Sequence, residues 1–483
     1  MIPKQLLLDS TVYLARTSTS ALPNAPDEVG ASSEEDKCRT ISTPYSNNTA
    51  RSLVARLFEE ADWDPDHAHT ANWNPFKELI CPGDTVAVKP NWVHHENHSG
   101  QGLDCMVTHA SVLGAVLDLV LRAQPGKVIV GDAPIQGCDL PKLMEAAGYS
   151  ALKQHCAQAG APVEWRDLRC TVLANLGGVW DRQAGLRPLE DYVLFDLGVE
   201  SLLEPIVKDA ERFRVTMYNP DLMRQTHGPG RHQYLIAREV IEADVVINLP
   251  KLKTHKKAGI TGALKNLVGI NGNKDYLPHH RLGGSRTGGD CYPGGNPFKL
   301  AAERLSDAAN RREGMTAYLL RQTMRGTYGL ARLAGADSNL EGSWYGNDTI
   351  WRTCLDLNRI LLYGRPDGGM SDMPQRRVLT LTDAIVCGEG EGPLAPAPHP
   401  LGLLTLATNP VAAEYVHAHL MGFGWCKVPI IREAFGPFKY PLCLFRPEDV
   451  EVQFAGQRFR QPWPLWNERP FVPPRGWQGH CER

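Results

Sequence analysis

Six lysines stand in one acid-free stretch of this chain. From Val245 to Lys274 the sequence reads VVINLPKLKTHKKAGITGALKNLVGINGNK, without a single Asp or Glu. Lys251, Lys253, Lys256, Lys257, Lys265 and Lys274 supply the charge, and His255 sits among them. Val245 to Leu249 reads as a buried strand, stopped by Pro250 and followed by a cationic loop and a Gly-spaced helix start. Ammonium groups beside exposed backbone N–H groups hold anions. Lys251, Lys253 and Lys256 are therefore expected to bind a small anion, with Asn266 beside them. Lys265 lies between Leu264 and Leu267, where a helix carries it inward. Burial lowers a lysine's proton affinity and fits it for general-base work. His255 titrates near neutrality with no burial at all. These two are the expected catalytic residues.

Other candidates fall at strand ends, where ligands sit in parallel sheets. Lys89 and Asn91 follow the strand Asp84–Lys89, and Asp132 follows Lys127–Val130. Asp383 ends the strand Arg377–Thr382, and Glu389 lies in a tight acidic turn, Gly388 to Pro393. Asp132, Asp383 and Glu389 are the expected ligands if a divalent metal is used. His94, His95, Glu96, Asn97 and His98 form a second ligand-rich run but meet no metal spacing signature. His109, just inside a helix whose N-cap is expected at Thr108, faces the same crevice. His279, His280 and Arg281 open a loop, GGSRTGGDCYPGGNP in its Gly-rich part, that reads as a cationic lid over a phosphate or carboxylate. Together with Lys89, Asn91 and His109, they complete the expected substrate-binding set.

The elements that must position these residues are legible in part. Strand Asp84–Lys89, helix Thr108–Arg122, strand Lys127–Val130 and helix Leu140–Ala147 form a βαβ pattern, which predicts a parallel sheet. A helix over Gln233–Ala243 is expected to lead into Val245–Leu249. Helices are expected over Thr49–Ala61, Phe298–Arg311, Thr349–Tyr363 and Pro410–Met421, and strands over Thr11–Ala15, Tyr192–Leu197 and Leu401–Thr408. The fold class is α/β: a mostly parallel, doubly wound sheet with insertions and an irregular N-terminal arm. The boundaries fall at 1–75 for the arm and its helix, 76–430 for the α/β domain and 431–483 for a tail packing on it. Insertions are expected near 160–230, 275–297 and 312–345.

Composition narrows the function classes. A chain of 483 residues with 42% hydrophobic residues buries a sizeable core. The net charge of −3 means that the basic cluster is local, which suits a small anionic ligand rather than nucleic acid. The 12 cysteines contain no C-x-x-C pair, so no iron–sulfur cluster is expected and a reducing, cytoplasmic setting fits. No apolar run approaches the roughly 20 residues of a membrane span, so no membrane partner is expected. A homo-oligomer is compatible with the sequence. There is no Walker A motif, no G-x-G-x-x-G after a strand and no G-x-S-x-G.

Several stretches together resemble the family catalogued as domain of unknown function 362. They are VKPNW (Val88–Trp92), THASVLGAVLDLV (Thr108–Val120), VIVGDAP (Val128–Pro134), INLPKLKTHKKAGITGALKNLVG (Ile247–Gly269) and LTDAIVCGEGEGP (Leu381–Pro393). The resemblance runs from about Asp84 to Gly422. Some relatives carry an attached ferredoxin-like domain, whose Cys spacing this chain lacks. Relatives often show Asp in the block matching PVAAEYV, where this chain has Glu414. Thr254, His255 and Ala258–Lys265 are also similar to a stretch of nickel-pincer lactate racemases. That likeness implies that His255 and Lys265 face a phosphorylated or carboxylated ligand. The expected function is proton transfer on a small anionic substrate, of isomerase or lyase type, with the cofactor unknown. The alternative is a non-catalytic binding or maturation protein for an anionic cofactor or a glycan precursor.

Overall fold

A computed structural model describes residues 3–17, 47–176, 179–184, 186–464 and 466–483. The chain enters through β1 (Thr11–Arg16) and α1 (Asn47–Glu60). It then runs β2 (Thr85–Pro90), α2 (Ala110–Arg122), β3 (Lys127–Asp132), α3 (Leu140–Ala146), α4 (Tyr149–Gln158) and β4 (Val163–Asp167). The acid-free stretch forms β5 (Val245–Leu249), β6 (Lys251–His255), β7 (Gly259–Thr261) and the short α5 (Ala263–Asn266). Three helices follow, α6 (Pro297–Asn310), α7 (Gly314–Leu333) and α8 (Ile350–Tyr363). The chain closes with β8 (Arg377–Glu391), β9 (Ala395–Ala407), α9 (Pro410–Met421), β10 (Glu451–Phe454) and β11 (Gln457–Phe459).

These strands make one 11-stranded sheet in the order β11–β10–β1–β9–β8–β5–β2–β3–β4, with β6 joined to β8 and β7. The pairings β4–β3, β3–β2, β2–β5, β5–β8, β6–β8 and β1–β10 are parallel. The sheet is therefore mostly parallel, as the βαβ pattern predicted. Its central strands bury both faces, because side chains alternate. Val86, Val88, Val128, Val130, Val245 and Ile247 pack with α1, α2 and α4 in one core cluster. Ala87, Val246 and Val378 point the other way, into a second cluster with α8 and α9. Helices thus cover both faces.

The structure departs from the sequence reading at four places that shape the site. Gln233–Ala243 is not one helix: Arg231–Ala237 is a strand paired with Tyr192–Asp196, and only Arg238–Ile241 turns helical. The run Tyr234–Ala237 is buried throughout, so helical spacing carries no information there. Of the cationic residues after Pro250, Lys251, Lys253 and His255 are not in a loop. They form the buried β6, because β8 continues past Pro250 through a bulge and pairs with Lys251 and Lys253. Lys256 and Lys257 lie in the turn that follows. Asp383 accordingly lies within the 15-residue β8, and the Gly388–Glu391 segment is strand rather than turn. Gly388 and the following Gly392 serve close approach: a Cβ on Gly388 would stand 2.5 Å from the Cys105 carbonyl oxygen and one on Gly392 2.0 Å from that of Thr254. Finally, the N-cap of α2 is His109, whose ring accepts from the Ser111 N–H at 3.3 Å. Thr108 instead clamps two strand ends, donating to the Leu249 carbonyl at 2.6 Å and accepting from the Asn91 N–H at 2.8 Å.

The bulge is held by a fully buried ion pair. Lys251 Nζ lies 2.6 Å from Asp383 Oδ2 and donates to the Val386 carbonyl at 3.0 Å. The same carboxylate accepts the backbone N–H groups of His109 at 2.9 Å and Ile385 at 3.2 Å. Removing one partner leaves the other charge buried without compensation. Asp383→Ala is therefore expected to lower unfolding stability by about 3–5 kcal/mol, read by denaturant titration. A loss below about 1 kcal/mol would show that the pair is an ordinary surface-like contact.

Candidate functional site

The ends of β2, β3 and β5 come together under α5. Lys89, at the end of β2, places its Nζ 2.8 Å from Asp132 Oδ1 on the neighbouring β3. Lys89 also donates to the Pro90 carbonyl at 2.8 Å and to Asn266 Oδ1 at 3.1 Å. Asn266 Oδ1 accepts in addition from Asn91 Nδ2 at 2.8 Å, and its own Nδ2 donates to Asn248 Oδ1 at 2.7 Å. Asn91 Oδ1 accepts from Lys253 Nζ at 2.5 Å, and Lys253 also donates to the Met106 carbonyl. Asp132 Oδ2 accepts the Trp92 N–H at 2.7 Å. Separate segments of the fold are thus tied by one buried polar network. Gly269 closes over it, and a Cβ there would fall 1.8 Å from Asp132 Oδ1. Only glycine admits that approach.

This network forms part of the wall of a cavity of about 510 Å³. Lys253, Lys256, Lys257, Lys265 and Lys274 line it together with Lys89. The carboxylates in the wall are Asp132, already facing Lys89, and Glu341. Lys257 donates to Thr216 Oγ1 at 3.0 Å, and that hydroxyl donates to Glu341 Oε2 at 3.1 Å. Lys256 pairs with Glu391 at 3.0 Å near the surface. Lys274 reaches the Ala133 carbonyl at 3.2 Å. Lys265 is buried and, among the described residues, makes no hydrogen bond or ion pair. Burial lowers the proton affinity of Lys89, Lys253, Lys257 and Lys265, most strongly at Lys253, where neighbouring Lys251 adds repulsion. Burial brings Lys274 down to about 7, against the pull of Asp132. For Lys89 and Asp132 burial pushes both toward neutrality. Their 2.8 Å contact and the Trp92 N–H oppose this, and the ionised pair is the arrangement this geometry favours.

Two histidines face the same space with their tautomers fixed. His255 Nδ1 accepts the backbone N–H groups of Lys257 at 3.1 Å and Ala258 at 3.3 Å, so in the neutral ring the proton is on Nε2. His279 Nδ1 lies 2.6 Å from the Leu277 carbonyl, which can only accept, so the neutral ring leaves Nε2 with a lone pair. Burial, then the charges of Lys265 and Lys257, hold His255 well below its ordinary value. Burial followed by Lys257 and Lys265 does the same to His279. The cavity therefore presents one N–H donor and one basic nitrogen, both on neutral rings.

Of the sequence-predicted residues, the fold brings Lys89, Asn91, Asp132, Lys253, His255, Lys256, Lys265, Asn266 and His279 to this cavity. Lys251, Asp383 and His109 are placed together behind it, in the bulge. Glu389 lies near the tail, 2.6 Å from Arg469 and 2.9 Å from His399 Nδ1. Arg281 lies against Asp290 and Asp348, and His280 is buried outside the cavity wall. The carboxylates expected as metal ligands therefore sit in three separate ionic settings. Among the described residues no group of three or more His, Cys, Asp or Glu is arranged to hold a metal. Of the His-rich run, His94 and His98 line the cavity, and His95 accepts the Asp139 N–H at 3.0 Å.

Some cavity residues were not singled out from sequence. Lys274 and Lys257 carry the signal in retrospect, since the acid-free stretch reaches to Lys274. Tyr218, Gln136 and Glu341 carry none. Tyr218 donates to Gln136 Oε1, and Gln136 donates to Thr171 Oγ1 at 2.7 Å, a chain across three distant segments.

Comparisons with known proteins place the chain among relatives. A thylakoid-associated protein of Synechocystis sp. is 28% identical over 191 residues, which is 40% of this chain and 40% of that protein. The chain thus matches well under half of that relative's length. A crystal structure of a Thermotoga maritima protein is 11% identical, with 74% of this chain and 55% of that one covered and a TM-score of 0.30. The family model "Domain of unknown function (DUF362)" matches residues 86–181 and 195–419, most of the chain and all of the strand-end cavity floor from Lys89 to Lys274. With both the sequence blocks and the family model in agreement, the chain belongs to the DUF362 family.

Proposed function

We propose that the protein is an enzyme that moves a proton on a small anionic substrate, phosphorylated or carboxylated, in a reaction of isomerase or lyase type. The observation that carries this reading is the pair of neutral histidines with opposite tautomers in a lysine-lined cavity. Lysines with no carboxylate at contact distance offer charge to an anionic group. His279 Nε2 is a base that needs no preceding deprotonation. His255 Nε2–H is a neutral donor, suited to a developing oxyanion because it does not simply protonate the ground-state oxygen. Lys265, with its ammonium unpartnered and its proton affinity lowered, shares the proton-transfer role.

Solvent deuterium incorporation into small phosphorylated and carboxylated carbon acids, followed by proton NMR, tests this even while the product is unidentified. At least one such compound should exchange its acidic C–H. His279→Gln, His255→Asn and Lys265→Met should each slow that exchange by about 100-fold or more. Binding of inorganic phosphate should change far less. Phosphate binding with no exchange on any compound, in wild type and variants alike, supports the alternative of a binding or maturation protein for an anionic cofactor or glycan precursor.

The lysine shifts set the pH dependence. Lys274 titrates at about 7 in the free protein, so above that pH it is uncharged. An anion beside it favours the ammonium and raises that value. Binding between neutrality and the bound-state value must therefore take up a proton. Affinity for phosphate should fall as pH rises above 7, with a slope approaching about tenfold per pH unit for one proton. Calorimetry in buffers of different ionisation enthalpy should show proton uptake at pH 8, reduced in Lys274→Met. Proton release, or an affinity that rises with pH, contradicts this assignment.

A further inference from the structure

Helix α7 carries an exposed apolar row that no described part of the fold covers. Met315, Tyr318, Leu319, Leu330 and Leu333 are all exposed, Met315 by 70% and Leu333 by 87%. At 100° per residue these positions fall on one side of the helix, with Gly326 and Gly329 between them. The opposite side, through Ala317 and Ala331, is buried. The helix has 20 residues, so the row extends over about 30 Å. Gln322 also lies between the two ends, so the face carries two apolar patches, Met315–Leu319 and Leu330–Leu333. Single exposed leucines need no explanation, but two such patches on one face of one helix do.

Charge identifies what fits it. From Gly314 to Ala336 the chain holds Arg321, Arg325 and Arg332 and no Asp or Glu. These three arginines fall along one flank of the apolar row by the same helical arithmetic. None of them has a carboxylate partner among the described residues. Arg321 and Arg325, one turn apart, repel each other, and the proton affinity of Arg321 is lowered by burial and by Arg325. A protein that leaves three cations unneutralised beside exposed leucines presents the two halves of an interfacial helix: an apolar stripe to enter the acyl boundary and guanidinium groups to meet headgroup phosphates. No described helix is long and apolar enough to cross a membrane, so the geometry is that of a helix lying on the surface.

We propose that α7 docks the protein, reversibly, on a lipid surface rich in anionic headgroups. The segment just after α7 supplies Glu341 and Ser343 to the cavity wall, so docking would hold the cavity near the membrane plane.

Flotation of the full chain with vesicles tests this. The protein should float with phosphatidylcholine vesicles that contain phosphatidylglycerol. It should stay in solution with phosphatidylcholine alone, and salt should release it. The variant with Leu319→Gln, Leu330→Gln and Leu333→Gln should lose about tenfold or more of the bound fraction. So should the variant with Arg321→Gln, Arg325→Gln and Arg332→Gln. Five of the six side chains are exposed and Arg321 is half-buried, so both variants should keep the wild-type thermal transition, which circular dichroism checks. Wild type that stays in solution with the anionic vesicles, or flotation that both variants retain, overturns the proposal. A dimer that the leucine variant dissociates, without lipid binding by wild type, overturns it in favour of a second copy on this face.

Discussion

The site depends on one imbalance: more ammonium groups are buried at the strand ends than carboxylates are buried with them. Lys89 has Asp132, and Lys251 has Asp383. Among the described residues, Lys253, Lys265 and Lys274 have carbonyl or amide oxygens, or nothing. Taking such groups out of water costs several kcal/mol per ion when they stay charged. The fold meets that cost in two ways. It lowers the proton affinity of the lysines, and it leaves them facing an open cavity, where under the proposed function a ligand's negative charge replaces the missing carboxylates.

The sheet topology makes the imbalance possible. Parallel strands β2, β3 and β5 end side by side, and each contributes a residue to the same network: Lys89, Asp132 and Asn248. The helix α5 then lays Lys265 and Asn266 across those ends. Its own entry is fixed by Glu414 from α9, whose carboxylate accepts the Ala263 N–H at 2.6 Å. A Cβ on Gly262 would meet that carboxylate at 2.1 Å, so the glycine and the glutamate together set how closely α5 approaches. Glu414 thus closes the N-terminus of α5 from a distant part of the chain.

Much of this was legible in the sequence. The βαβ pattern gave strands β2 and β3 and the parallel sheet, and the apolar run Val245–Leu249 gave β5, because strand apolarity and helical amphipathicity are local properties. The acid-free stretch pointed to the cavity floor. What stayed hidden depends on pairings remote in sequence. Lys251 and Asp383 meet only because β8 runs on past Pro250, and a proline in the sequence argues locally for a stop. Tyr234–Ala237 is apolar and buried on both faces, so its period could not be read. Tyr218 and Glu341 reach the cavity from segments whose placement depends on the tertiary fold. The two histidine tautomers rest on backbone groups of Lys257, Ala258 and Leu277, and so on the turns that present them.

The most direct test of the neutral histidine pair is long-range proton–nitrogen correlation NMR of the imidazole side chains near pH 7, assigned with His255→Asn and His279→Gln. Two neutral rings of opposite tautomer are expected, protonated on Nε2 in His255 and on Nδ1 in His279, and both should shift when inorganic phosphate is added. An imidazolium at either position in the free protein, or two rings that ignore phosphate, would contradict the proposed chemistry.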